Sequence, residues 1–136
     1  MAPTNGRTAK RPPFGESFAD VPAAELDEVA AALSEIEVDA GTQVVAMDTY
    51  GSGIYLIERG EAEVMAGNAM PVAAVLGPGD VFGEIALLLT GERIATVVAR
   101  TPMRLRTLSN VESSRIRERV PQFERSLRRL AVERAQ

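Results

Sequence analysis

Residues 54–65, Ile54-Tyr55-Leu56-Ile57-Glu58-Arg59-Gly60-Glu61-Ala62-Glu63-Val64-Met65, read as a compact apolar strand, a turn over Glu58–Glu61, and a second short strand. The pattern extends in both directions. Upstream, Val38 precedes the turn Asp39-Ala40-Gly41, Gln43 to Met47 has strand character, and Gly51-Ser52-Gly53 makes a tight turn. Downstream, Gly67-Asn68 interrupts the chain, Val72 to Leu76 follows, and Gly77-Pro78-Gly79-Asp80 turns it again; two more strands fall at Ala95–Arg100 and Met103–Leu108. Strands this short, recurring every ~8–12 residues with turn chemistry between them, predict a sandwich or jelly roll.

Helical periodicity flanks the strands. Residues 22–36 predict a first helix, with Asp20 as its cap, Pro22 in its early turn, and Leu26, Val29, Ala30 and Leu33 on one side. Residues 111–119 and 122–135 predict two more, broken at Val120-Pro121, with Phe123, Leu127, Leu130 and Ala131 as one stripe. That stripe serves either the core or a dimer interface. The fold class is α+β, mostly β: an antiparallel jelly roll (double-stranded β-helix) with an N-terminal helix and two C-terminal helices spanning 111–135.

The chain has 136 residues, 46% hydrophobic and 25% charged, which is the composition of one globular domain. Residues 1–13, with three prolines, a glycine and basic side chains, read as a flexible leader, leaving 14–136 as the domain. No apolar run is longer than Ile85 to Leu89, which is too short to cross a membrane, and the leader lacks the apolar segment of a secretory signal. There is no Cys and no His. Disulfides, thiol nucleophiles and zinc–thiolate sites are therefore excluded, and triad hydrolysis and most metal chemistry lose their usual residue. The expectation is a cytoplasmic binding module, not an enzyme, without metal or resident cofactor. Arginine outnumbers lysine fourteen to one, which points by composition to a GC-rich bacterial genome; the opening Met and irregular leader suggest a complete chain.

Charge is divided along the sequence. Residues 12–92 carry fifteen acids against Arg59 alone, whereas 93–136 carry eleven arginines against Glu112, Glu118, Glu124 and Glu133. A basic tail raises the question of nucleic acid. With Phe123 as its one aromatic, the tail reads instead as a solvated helix face whose arginines pair with nearby acids.

Residues 80–99, DVFGEIALLLTGERIATVVA, carry the chemistry. Glu84 interrupts an otherwise apolar run, and a carboxylate there must reach water or find a partner. Between Glu84 and Leu89 there is room for one or two helical turns, whose first amides bind anions. Arg93, nine residues after Glu84, adds a fixed positive charge. The combination describes a phosphate cradle with a carboxylate placed to accept from a sugar hydroxyl.

Gly79-Asp80, Phe82-Gly83-Glu84-Ile85-Ala86-Leu87 and then Arg93-Ile94-Ala95-Thr96-Val97 resemble the phosphate-binding cassette of cyclic nucleotide-binding domains. This is the superfamily of the catabolite activator protein, the regulatory subunits of cyclic-AMP-dependent protein kinase and cyclic-nucleotide-gated channels. The spacing from Glu84 to Arg93 matches the kinase regulatory type. The resemblance runs from Phe18 to about Phe123, and Tyr55, Ile57, Gly60, Ala62 and Val64 are similar to the family's third and fourth strands.

The resemblance implies a role for each position. Glu84 accepts a hydrogen bond from the ribose 2′-hydroxyl, and Arg93 pairs with the cyclic phosphate. Backbone amides at Ala86 and around Ile94-Ala95 hold the phosphate oxygens, Gly83 lets the chain approach the sugar, and Ile85 lies within the short cassette helix. Thr96 is either a plain strand residue or a phosphate-side hydroxyl. Val64, Val72 and Val81 are weaker candidates for contact with the base, while Tyr55 and Phe82 read as core. A C-terminal helix closes over the base as a lid, with Arg128 or Arg129 near it. Ile94 stands where Ser, Thr or Ala is common, which removes a hydroxyl and favours cyclic AMP over cyclic GMP. Glu92 replaces the usual proline, and Asp48-Thr49 stands near the place of an expected Gly-Asp pair.

The implied function is a regulatory module that binds a cyclic nucleotide, repositions its C-terminal helices and signals to an effector protein, with a homodimer through those helices as a further possibility. The alternative, favoured by Ile94 and Glu92, is a degenerate roll that binds no nucleotide and serves protein interaction or oligomerisation. Direct DNA binding is not expected, because the thirty residues after Arg106 are too few for a winged helix-turn-helix beside the two helices.

Overall fold

A computed structural model of the chain describes residues 12–45, 53–65, 72–84, 88 and 95–134. Its helices are α1 (Ala23–Ala32), α2 (Asn110–Ile116) and α3 (Pro121–Arg134). Its strands are β1 (Ser34–Val38), β2 (Gln43–Val45), β3 (Gly53–Arg59), β4 (Ala62–Met65), β5 (Val72–Leu76), β6 (Val81–Phe82), β7 (Thr96–Ala99) and β8 (Met103–Ser109). The expected turns at Gly51-Ser52 and Gly67-Asn68 lie outside the described residues, as does the end of the strand expected over 43–47.

The first helix is shorter than its periodicity predicts. Leu33 is already extended, and the next five residues form β1. Pairing across the sheet overrides the helical pattern: β1 runs antiparallel to β8, with Glu35 opposite Arg106 and Glu37 opposite Arg104. Arg104 Nη2 donates to Glu37 at 2.7 Å, and Arg106 Nε donates to Glu58 on β3 at 2.7 Å. Hydrogen bonding to Glu37 and the nearby charge of Glu35 raise the Arg104 pKa above its ordinary value. Asp20 also departs from its expected role. Pro22 is the N-cap of α1 and no side chain caps it, while Asp20 accepts from Gln122 Nε2 at 3.1 Å and Ser126 Oγ at 3.3 Å on α3. Ser109 does cap α2, accepting from the Glu112 amide at 3.1 Å.

The strands form two four-stranded sheets, ordered β1-β8-β3-β6 and β2-β7-β4-β5. Strand β1 pairs with β8, β2 with β7, β3 with β6 and β4 with β5, all antiparallel. The chain is thus one long hairpin folded back on itself and rolled across two sheets, which is the expected jelly roll. Gly60 allows the tight β3–β4 turn. Its φ is +96°, and a Cβ there would stand 2.5 Å from the Pro102 carbonyl oxygen.

Over Ile54–Ile57 the first sheet is covered on both faces, which explains why this stretch of β3 shows no polar alternation. Ile54, Leu56, Val81 and Leu108 pack with Phe18, Leu26, Val29, Ile116, Phe123, Leu127 and Leu130 beneath the helices. Ile57, Phe82 and Leu105 pack with Val45, Ala62, Val97, Ala99 and Met103 between the sheets. Phe18 and Phe123 stack at 5.1 Å, and Phe14 meets both rings edge-on. Phe123, Leu127, Leu130 and Ala131 are all buried within their own domain, so the stripe is core. Among the described residues, no helix is long and apolar enough to cross a membrane.

Candidate functional site

Strand β6 belongs to one sheet and β7 to the other, so the segment joining them crosses between the two layers. It begins at Gly83, whose φ of +93° is the left-handed conformation that glycine adopts without steric cost. That turn carries the next side chain inward. Glu84 is 1% exposed, the most deeply buried acid among the described residues.

A carboxylate taken out of water needs compensation. It comes from the far end of the chain. Arg134 Nη1 donates to Glu84 Oε2 at 2.9 Å and also to the backbone carbonyl of Val81. The guanidinium thus spans β6 and the residue after Gly83, and the positive charge lies at the C-terminal end of α3, where the helix dipole favours it.

The other candidate residues fall into three groups. Ala95 is half-buried and Thr96 is buried at the start of β7, on the far side of the crossing. Ile85, Ala86, Arg93 and Ile94 lie outside the described residues, together with Glu92, Asp48-Thr49 and most of the expected short helix. Leu88, within that helix, packs against the helix-side core. Among the base-contact candidates, Val64 packs against the inter-sheet core, and Val72 pairs with Met65 across β4 and β5. Val81 is a correction: it is buried among Leu26, Phe123 and Leu130 on the helix side, because strand alternation turns it away from Phe82. Tyr55 and Phe82 stack at 5.1 Å as core, as expected.

Arg128 and Arg129 do not reach the site. Arg128 pairs with Glu124 at 3.1 Å, and Arg129 lies 3.7 Å from Asp20; both are exposed. Arg134 was missed, yet it carried a signal. It stands four residues after Leu130 and seven after Leu127, on the apolar stripe, so it was the arginine that helical spacing aimed at the roll. Elsewhere in the basic tail Arg115 pairs with Glu112 and Arg119 with Glu28, as predicted, whereas Arg117 donates to Ser113 Oγ and Arg125 to Gln122 Oε1. A cleft of about 360 Å³ opens on the helix side between Gly15, Phe18, Pro78, Asp80, Leu130 and Arg134. Among the described residues, no cluster of carboxylates gathers to hold a metal ion.

A glycine-turned, buried glutamate thus stands at the crossing of an eight-stranded roll, with a helix packed behind it. Residues 35–119 match the Cyclic nucleotide-binding domain family, and the chain belongs to that family. The cAMP-dependent protein kinase regulatory subunit of Yarrowia lipolytica is 41% identical over 91 residues, covering 67% of this chain and 24% of the relative. The chain thus spans about a quarter of the length of that relative. Among solved structures, the Thermus thermophilus Catabolite Activator Protein superposes with a TM-score of 0.80 at 25% identity, covering 89% of this chain and 58% of the other. The regulatory domain of Toxoplasma gondii PKA, co-crystallised with cAMP, superposes with a TM-score of 0.67 at 29% identity, covering 74% and 39%. The matching kinase subunit is fungal, so it lends no support to the compositional expectation of a bacterial source.

Proposed function

We propose that this chain binds cyclic AMP in the segment between β6 and β7 and acts as a non-enzymatic regulatory module. The observation that carries the reading is Glu84: a charged acceptor held at the crossing of the two sheets, directly after a left-handed glycine, in a chain of the cyclic nucleotide-binding family. In this reading Glu84 accepts from the ribose 2′-hydroxyl and Arg93 neutralises the cyclic phosphate. Amides at Ala86 and around Ile94-Ala95 complete the anion cradle. Ile94 offers no hydroxyl, which favours cyclic AMP over cyclic GMP. Ligand capture stabilises one arrangement of the cassette, and the C-terminal helices follow, because Leu130 on α3 packs in the same cluster as Val81 on β6. The readout passes to an effector protein in the cytoplasm, and the exposed side of α3 is where a second copy would meet it.

Calorimetric titration with cyclic AMP and cyclic GMP, with 5′-AMP as control, tests this. Cyclic nucleotide binding with 5′-AMP far weaker is the expected result. Silence from the folded protein toward both cyclic nucleotides overturns it in favour of an interaction scaffold, the reading supported by Glu92 and Ile94 in the cradle.

A further inference from the structure

We propose that strand β5 is a seam between two copies of this chain: its free edge pairs antiparallel with the β5 of a second copy about a twofold axis, joining two β2-β7-β4-β5 sheets into one layer. The inference stands apart from the nucleotide reading and from the outer face of α3. Two open sheets have four edges, and among the described residues these are β1, β6, β2 and β5. An edge strand leaves its outward N–H and C=O groups without a ladder partner, and proteins blunt such edges by shortness or by charge. Three of the four edges are blunted in this way. Strand β2 has three residues and β6 has two. Strand β1 is longer but carries Glu35 and Glu37. Strand β5 is both long and bare, for Val72-Ala73-Ala74-Val75-Leu76 contains no charged residue, no polar residue and no proline.

The register shows what this edge presents. Leu76 lies opposite Ala62, and both pack between the sheets. Val75 lies opposite Glu63 on the outer face and is 46% exposed, an apolar side chain that gains from being covered. The occupant follows from charge. An antiparallel pairing of two β5 strands centred on Ala74 sets Val72 opposite Leu76 and Ala73 opposite Val75, so no charges meet. The same operation on β1, centred on Ile36, sets Glu35 opposite Glu37, and like charges directly opposite one another are destabilising. Glu63, one strand in from the seam, lies 3.8 Å from Arg100 of its own chain. Strand β5 therefore fits a second copy of itself, and a twofold contact of this kind closes at two copies. The seam is short, so the association belongs to the weak class and shows at high protein concentration.

The test is sedimentation equilibrium of the whole chain without nucleotide, between about 10 μM and about 1 mM, the range in which a small interface dissociates. The wild type is expected to rise from the mass of one chain toward that of two. Val75→Lys and Val75→Glu, each checked for folding by circular dichroism, should each weaken the pairing by about tenfold or more, because each change enters the seam twice and sets like charges diagonally across it. An equimolar mixture of the two should win back about threefold or more, since Lys and Glu then face each other. Should neither variant fold, amide hydrogen exchange of the wild type decides: at high concentration protection rises in β5 and stays unchanged in β1. A wild type that remains a monomer throughout overturns the proposal and leaves β5 open to a strand of another protein. So does a dimer that both Val75 variants keep and that Val132→Glu, on the exposed side of α3, breaks, because the contact then belongs to the helices.

Discussion

The molecule contains two kinds of glutamate–arginine pairing. On the sheet surface, Glu35, Glu37 and Glu58 form a ladder with Arg104 and Arg106 across β1, β8 and β3, every side chain in contact with water. At the crossing of the two sheets, Glu84 meets Arg134 with the carboxylate side chain only 2% exposed. The surface ladder is inexpensive and local: its partners face each other because the strand register puts them there, and such pairs contribute little individually. The buried pair is different in kind. Taking the Glu84 carboxylate out of water is costly, its partly exposed partner does not reliably return that cost, and an apolar replacement often serves stability as well or better. Stability alone gives no reason for a glutamate at this place, and the proposed ribose contact would supply one. The lesson is that ion pairs divide by where the charge is held, not by how short the contact is.

Substitutions can break or sharpen that division. The largest effect is expected at Arg93, the other charge assigned to the crossing: Arg93→Ala should cost about 2–5 kcal/mol of cyclic AMP binding, read by titration, and an unchanged affinity would sink the cradle assignment. Glu84→Gln should follow at about 1.5–3 kcal/mol of binding, with the loss concentrated on ligands that carry a 2′-hydroxyl. The surface ladder should respond far less. Glu58→Gln is expected to lower unfolding stability by no more than about 1 kcal/mol in urea denaturation, and raising the salt concentration should erase much of the difference. Arg128→Ala, which removes the exposed pair with Glu124 four residues earlier in α3, should change stability by about 0.3–0.5 kcal/mol and leave cyclic AMP affinity where it was. A large binding loss there would place the sensing surface on the outer face of α3 and contradict the comparison.

Much of this was legible in the sequence where the determinants are local. The strands over 54–65 and 72–76 are bounded by glycine-containing turns and that over 103–108 follows Thr101-Pro102, and turn chemistry acts within a few residues. Strand β1 was hidden, because Leu33 and Ile36 fit a helical spacing as well as an extended one. What decided it was pairing along β8, where Arg104 faces Glu37 from 67 positions away. Strand β6 has two residues, too few for any periodicity to register. The same divide runs through the site. Gly83 and Glu84 announced themselves because a carboxylate breaks an apolar run. Arg134 did not, since its partner lies 50 residues earlier and the eye goes to the adjacent Arg128 and Arg129. Only its place on the Phe123–Leu127–Leu130 stripe marked it out, and a stripe is ordinarily read for its apolar members.

Amide hydrogen exchange with and without cyclic AMP tests the central claim most directly, because it reports where the ligand acts without presupposing which side chain matters. Protection concentrated between Gly83 and Thr96, with a second protected stretch in the last turn of α3, is the predicted result. Protection confined to the helix-side cleft between Gly15, Asp80 and Leu130, or none in the presence of saturating nucleotide, would contradict it.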